Sequence, residues 1–149
     1  MQHKHRFAAV AAALVLVAAT LYAVNPPALA APPALGTPAA LRIQTDPYTP
    51  NQLCGAGSVV VAASDQVVLA ASPTPLGKHP RLQATFEITT SEGKTVLVKT
   101  SPISPSGRVL GLTLEPGTLS PGPYRFRLRA ERDNAVSDWT PWCGFTVNG

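Results

Sequence analysis

The sequence has few of the groups on which catalysis and metal binding depend. Only one of its three histidines, His79, lies beyond the first thirty residues, and the eight Asp and Glu residues are scattered. It lacks the short patterns of a serine-hydrolase elbow, a zinc metalloprotease and a phosphate-binding loop. We therefore expect no enzyme, no cofactor and no metal site, and we place His79 in a solvent-facing loop.

Charge is also scarce, at 13% of residues. Ten of the twelve Lys and Arg residues and all eight Asp and Glu residues lie after Ala30, so the charge beyond that point is +2 rather than +4. A charge this small does not favour nucleic acid as a partner.

The first thirty residues have the pattern of a secretory signal peptide. The basic start MQHKHR precedes an unbroken apolar run over residues 7–24, and Ala28, Leu29 and Ala30 then form a small-residue cleavage site. We predict cleavage after Ala30 and a secreted protein. The alternative is a membrane anchor, because the run has 18 residues, the lower limit for spanning a bilayer. We expect no other membrane attachment.

Residues 31–40, APPALGTPAA, have no charge and three prolines. This composition predicts an extended linker. The 109 residues that remain, 41–149, suit one small domain.

Alternating side chains predict β-strands throughout this domain. Apolar and polar residues alternate in RLQATFEIT (residues 81–89) and in YRFRLRAER (residues 124–132), as in half-buried antiparallel strands. Further strand candidates are residues 41–45, 59–63, 67–71, 95–99, 108–114 and 144–147. Turn signals separate them, and no helical periodicity follows the signal segment. The prediction is an all-β protein, an antiparallel β-sandwich.

The last two predicted strands resemble those of fibronectin type III and immunoglobulin-like modules. In LSPGPYRFRLRA, Leu119, Pro121 and Tyr124 match the residues around the tyrosine that opens strand F of that family. SDWTPWCGFTV is similar to its strand G. The resemblance implies an immunoglobulin-like β-sandwich in which Leu119, Pro121 and Tyr124 form a tyrosine corner.

Residues 41–148 are also similar to repeat modules of large secreted bacterial proteins. Those modules open with T-x-P-x-x-C and close with W-x-x-W-C-x-F-T-V; here Thr45, Pro47 and Cys54 stand at the opening. The resemblance implies a bacterial surface or extracellular module. It implies no ligand, because sandwiches of this kind have unrelated roles.

Cys54 and Cys143 are the only cysteines. Two cysteines in a small extracellular domain most often pair, so we predict an intramolecular disulfide. The alternatives are an intermolecular bond and a reactive thiol. The resemblance places Cys54 between the first strands and Cys143 at the start of the last strand, positions that are neighbours in a sandwich.

Two tryptophans stand three residues apart near the end of the chain, as in the W-S-x-W-S box of class I cytokine receptors. That resemblance implies a ladder in which Arg side chains of strand F stack between Trp rings. The residues available for it are Arg125, Arg127, Arg129, Trp139 and Trp142. In this interpretation the ladder is a clasp that holds the last strand on its neighbour.

Three functions remain open at this point. The first is a secreted, non-enzymatic module with a binding or spacer role. The second is a carbohydrate-binding module in which Trp139, Trp142 and Tyr48 meet cell-wall polysaccharide; the same aromatic residues suit another surface protein. The Arg residues could also meet an anionic polymer, unless cross-strand partners such as Glu87 neutralise them. The third is a protease inhibitor that presents the loop SPISPSG, residues 101–107.

Overall fold

Ten strands make up the regular structure of the described chain. The computed structural model describes residues 35–45, 50–74, 81–104 and 107–149. The strands are β1 (Gly36–Gln44), β2 (Gln52–Leu53), β3 (Val59–Ala62), β4 (Val67–Thr74), β5 (Gln83–Thr90), β6 (Thr95–Thr100), β7 (Leu110–Leu114), β8 (Gly122–Arg132), β9 (Ala135–Val136) and β10 (Cys143–Asn148). The predicted signal segment, Tyr48 and His79 lie outside the described residues. No helix within the described ranges could cross a membrane.

The strands form two sheets. The four-stranded sheet has the order β2-β1-β4-β7, and the six-stranded sheet has the order β3-β10-β8-β5-β6, with β9 on the free part of β8. Neighbouring strands of the described chain are antiparallel except β3 and β10, which are parallel with Val59 opposite Phe145. The predicted all-β, immunoglobulin-like sandwich is confirmed.

The hydrophobic core lies between the two sheets. Phe86 and Ile88 of β5, Phe126 and Leu128 of β8, and Leu69 of β4 have no exposed surface. Since side chains alternate across a strand, Glu87 of β5 and Arg127 of β8, which lie between these buried residues in sequence, point to the outer face of the sheet. Each buried side chain of this size stabilises the fold by about 1.5–3 kcal/mol. The apolar faces predicted for β5 and β8 are therefore the inner faces.

The first strand begins earlier than the sequence indicates. Gly36 lies opposite Thr74 and Ala39 opposite Ser72 on β4, so the linker prediction is wrong for residues 36–40. β1 has two register shifts here, and Ala40 has a φ of 51°. Proline and small residues suit such an irregular strand as well as they suit a linker, because its ladder of hydrogen bonds is already interrupted.

Two strands, β2 and β9, were not predicted. Each has only two residues, which is too short to show alternation. β9 folds back on β8 through a turn at Asp133, whose φ is 52°. Asp tolerates this left-handed conformation better than most residues, and Asp and Asn are common in turns.

The disulfide joins the two sheets. Cys54 directly follows β2 of the four-stranded sheet, and Cys143 opens β10 of the six-stranded sheet. Their Cα atoms are 5.5 Å apart, and 89 positions separate them in sequence. The predicted Cys54–Cys143 bond is confirmed. A crosslink that closes so long a loop restricts the unfolded chain strongly.

Reduction of this bond should destabilise the protein. On the chain-entropy account, we expect the free energy of unfolding to fall by about 4–5 kcal/mol, measured by urea denaturation with and without dithiothreitol. The Cys54→Ser/Cys143→Ser double variant is the control, since its transition should not respond to the reductant. An oxidised protein whose midpoint is unchanged by reduction would contradict the stabilising role of the crosslink.

Candidate functional site

The segment that carries both tryptophans, residues 137–142, is attached to β8 through two hydroxyl side chains. Ser137 Oγ accepts a hydrogen bond from the Ala130 N–H (2.9 Å), and Thr140 Oγ1 accepts one from the Leu128 N–H (3.1 Å). The Ser137 and Thr140 N–H groups donate in return to the Ala130 and Leu128 carbonyls, each at 2.9 Å. Ser137 and Thr140 are buried. We call residues 137–142 the Trp segment.

The two tryptophans interleave with three arginines of β8. The Arg125 guanidinium carbon lies 4.6 Å from the centre of the Trp142 ring, and that of Arg129 lies 4.9 Å from the Trp139 ring. Arg127 contacts both rings, at 4.4 Å from Trp142 and 4.6 Å from Trp139. The order along the sheet is Arg125, Trp142, Arg127, Trp139, Arg129, which we call the Arg–Trp ladder.

Each ring of the ladder is covered on both faces. The Cα atoms of arginines two positions apart on a strand are about 6.6 Å apart, and their side chains point to the same face. A ring that stacks on the guanidinium groups of both arginines therefore lies between them. Trp142 thus lies between Arg125 and Arg127, and Trp139 between Arg127 and Arg129. The indole faces are occupied within the protein, and both side chains are half-buried.

The arginines also have polar partners on the same face of the sheet. Arg127 forms an ion pair with Glu87 of β5 at 2.7 Å. Arg129 pairs with Glu131 at 3.2 Å, and Arg125 Nε donates to Thr89 Oγ1 at 3.1 Å. The expected cross-strand partner Glu87 therefore contacts Arg127. The charge of this face is largely balanced within it.

Tyr124, at the start of β8, fixes the turn that precedes the ladder. Its hydroxyl donates to the Ser120 carbonyl at 2.9 Å, and its ring stacks on Phe145 with 5.8 Å between ring centres. A hydrogen bond back to the chain a few residues upstream is the bond that a tyrosine corner makes. Leu119 is buried beside it, whereas Pro121 is exposed.

Trp142 lines two clefts. One, of about 520 Å³, lies between β1 and the Trp segment and is lined by residues such as Pro38, Leu53, Pro141 and Trp142. The other, of about 480 Å³, lies beside the start of β10 and includes Gly57. No charged side chain lines either cleft among the described residues.

The loop after β6, considered above for protease inhibition, is pinned at both ends. Ser101 N–H donates to the Ala84 carbonyl (2.8 Å), and Ser104 N–H donates to the Leu82 carbonyl (2.7 Å). Between these buried serines, Ile103 is 51% exposed. Residues 105 and 106 of the loop lie outside the described ranges.

The positions of Ser137 and Thr140 carry a role that the sequence interpretation did not assign. Their spacing of three matches two β8 amides that lie two residues apart, because the Trp segment has one more residue than β8 between the two contacts. The sequence feature that could have indicated this hydrogen-bonding role is the Ser-x-x-Thr spacing next to a predicted strand. Over the described ranges, no group of three His, Cys, Asp or Glu side chains could hold a metal ion.

Arg127→Ala should destabilise the protein more than Arg125→Ala or Arg129→Ala. Arg127 alone of the three contacts both rings, and its loss leaves the half-buried Glu87 without its ion pair. We expect the free energy of unfolding to fall by about 1–3 kcal/mol, measured by urea denaturation. Arg132→Ala is the matched control, since Arg132 lies on the same strand outside the ladder. Equal effects of Arg127→Ala and Arg132→Ala would contradict a stabilising ladder.

Neither a protein-family model nor a curated protein matches the sequence. Among solved structures, the chain is similar to CopC from Methylosinus trichosporium OB3b, with 23% identity, a TM-score of 0.43, and 62% of this chain and 85% of that chain covered. It is also similar to the CARDB domain of the PF1109 protein from Pyrococcus furiosus, solved in complex with di-metal ions. In that comparison the identity is 16% and the TM-score 0.33, with 74% of this chain and 94% of that chain covered. At these values neither likeness bears on the function of this chain.

Proposed function

We propose that this chain is a secreted, non-enzymatic module, similar to fibronectin type III modules, that acts as a spacer at the bacterial cell surface or in the medium. Its signal segment is cleaved after Ala30. The Cys54–Cys143 bond supports an oxidising compartment, because disulfides persist outside the cytosol.

The Arg–Trp ladder is the observation that carries this proposal. A sugar-binding platform needs an aromatic face open to the ligand, and an anion-binding stripe needs unpaired positive charge. Here arginines cover both faces of Trp139 and Trp142. Arg127 and Arg129 are each paired with a carboxylate. The residues that looked most like a ligand platform therefore serve the fold itself.

The positions of the chain ends also suit a spacer. β4 spans about 26 Å over its eight residues. Its last residue, Thr74, lies opposite Gly36, where the described chain enters. Near its first residue, Val67, the Ala63 N–H donates to the Asn148 carbonyl, where the chain leaves. Gly36 and Asn148 therefore lie at opposite ends of the sandwich, which is the geometry that a spacer between two attached segments would need.

The second candidate function is binding of cell-wall polysaccharide or another surface protein. The two uncharged clefts beside Trp142 favour it, because their volumes of about 480 and 520 Å³ are those of ordinary ligand sites. In this case the ligand would meet the part of Trp142 that lines the clefts.

A co-sedimentation assay separates the two functions. We expect the secreted protein to stay in the supernatant when mixed with insoluble cellulose, chitin or peptidoglycan, since no aromatic face of the ladder is free. Sedimentation with any of them that is lost in Trp142→Ala and kept in Arg132→Ala would overturn the spacer proposal in favour of binding.

A further inference from the structure

We propose that the Cys54–Cys143 disulfide is a redox-sensitive latch, which small thiols open by attack at Cys54. Its reduction frees residues 54–57, which we call the Cys54 loop, while both sheets stay folded. Because this loop borders three clefts, reduction changes all three together. The latch goes beyond the proposed spacer function and does not depend on it.

The two cysteines of the disulfide are unequally buried. Cys143 is 2% exposed, although it lines the cleft beside the start of β10. Cys54 is only half-buried and lines the cleft between β1 and the Trp segment. The rate of thiol–disulfide exchange depends on which sulfur the attacking thiolate can reach. An external thiol is therefore directed to Cys54.

The exchange leaves Cys143 inside the sheet. A small thiolate attacks Cys54 Sγ, the S–S bond breaks, and its electron pair passes to Cys143 Sγ, which takes a proton. A second thiol then releases Cys54 as a free thiol, and the reagent leaves as its own disulfide. The protein ends with one thiol in the Cys54 loop and one at the start of β10.

Little besides the disulfide holds the Cys54 loop. Among the described residues, the Cys54 N–H donates to the Leu41 carbonyl at 2.9 Å, and the Ala56 N–H donates to the Leu53 carbonyl at 3.2 Å within the turn itself. Residues 55–57 are exposed, and a Cβ placed on either glycine among them would meet no atom within 4 Å beyond its chain neighbours. Segments with so few contacts open locally at low cost.

β10, by contrast, is held independently of the disulfide. Cys143 pairs with Phe126 of β8, and from Phe145 onwards β10 also pairs with β3. The Trp142 ring, directly before Cys143, lies between two arginines of the ladder. On the chain-entropy account the crosslink acts on the unfolded chain, so its loss need not alter the folded sheets. The segment that moves on reduction is therefore the Cys54 loop.

The Cys54 loop is a wall that several clefts share. Gly55 lines both of the clefts that Trp142 lines, and Gly57 lines the one beside β10. Ala56 and Gly57 also line a third cleft, of about 310 Å³, which is bordered by β2 and the start of β3. Release of the loop from Cys143 therefore changes the shape of all three clefts.

Pulsed alkylation of the secreted protein after reduction tests the latch. With excess dithiothreitol under native conditions, a short pulse of iodoacetamide should label Cys54 at least about tenfold faster than Cys143, because Cys54 opens with its loop and Cys143 only with the sheet. Labelling of each cysteine is measured by mass spectrometry of its peptide. The same pulse in concentrated urea is the matched control, since both thiols are then exposed and should react alike.

Hydrogen–deuterium exchange gives an independent measurement of the same opening. On reduction, amide exchange should accelerate over residues 52–58 and stay unchanged over residues 143–148. The Cys54→Ser/Cys143→Ser variant should match the reduced protein and not respond to the reductant; if it fails to fold, the wild-type comparison stands.

Equal labelling of the two cysteines under native conditions would overturn the latch, because it would mean that the sheet opens together with the loop. Amide exchange that rises equally over both ranges, or over neither, would overturn it as well. Sedimentation with polysaccharide bears on the spacer function alone, so the two proposals fail separately.

Discussion

The attachment of the Trp segment to β8 is the interaction on which the rest of the six-stranded sheet depends. Between β9 and β10 the chain has to run alongside β8 without forming a regular strand. Two hydroxyl groups replace the missing ladder partners there, and the interleaved Arg and Trp side chains cover the outer face. Cys143 then enters β10 opposite Phe126, in register with the core. A shift of one residue would turn the inner face of β10 outwards.

The same segment shows how a surface that suggests a ligand site can be occupied from within the protein. Exposed tryptophans beside arginines suggest a site for a sugar or an anion when only the sequence is considered. In the folded chain the guanidinium groups of the arginines lie over the indole rings. Glu87 and Glu131, on the same face of the sheet, offset the positive charges of Arg127 and Arg129. Trp142 also lines two clefts that have no charged side chain among the described residues.

The parts of the fold that could be predicted are those with a long periodic signal. β5 and β8 were recognisable because eight or more residues alternate, and the disulfide because only two cysteines exist. The start of β1 could not be predicted, since Pro38 and its small neighbours have the composition of a linker and pair irregularly. Nor could the hydrogen bonds of Ser137 and Thr140 be predicted, because residues three positions apart pair with β8 amides two positions apart. The clefts beside Trp142 depend on loops from distant parts of the chain meeting, which no local pattern encodes.

The most direct test of the account is a double-mutant cycle on Arg127 and Trp142, with stability measured by urea denaturation of the wild type, both single variants and the double variant. If the guanidinium and the ring stabilise the protein through each other, the two losses will not add, and the coupling free energy will be about 0.5–2 kcal/mol. If the two losses add within error, ring and guanidinium act independently. The ladder is then not what holds the Trp segment on β8.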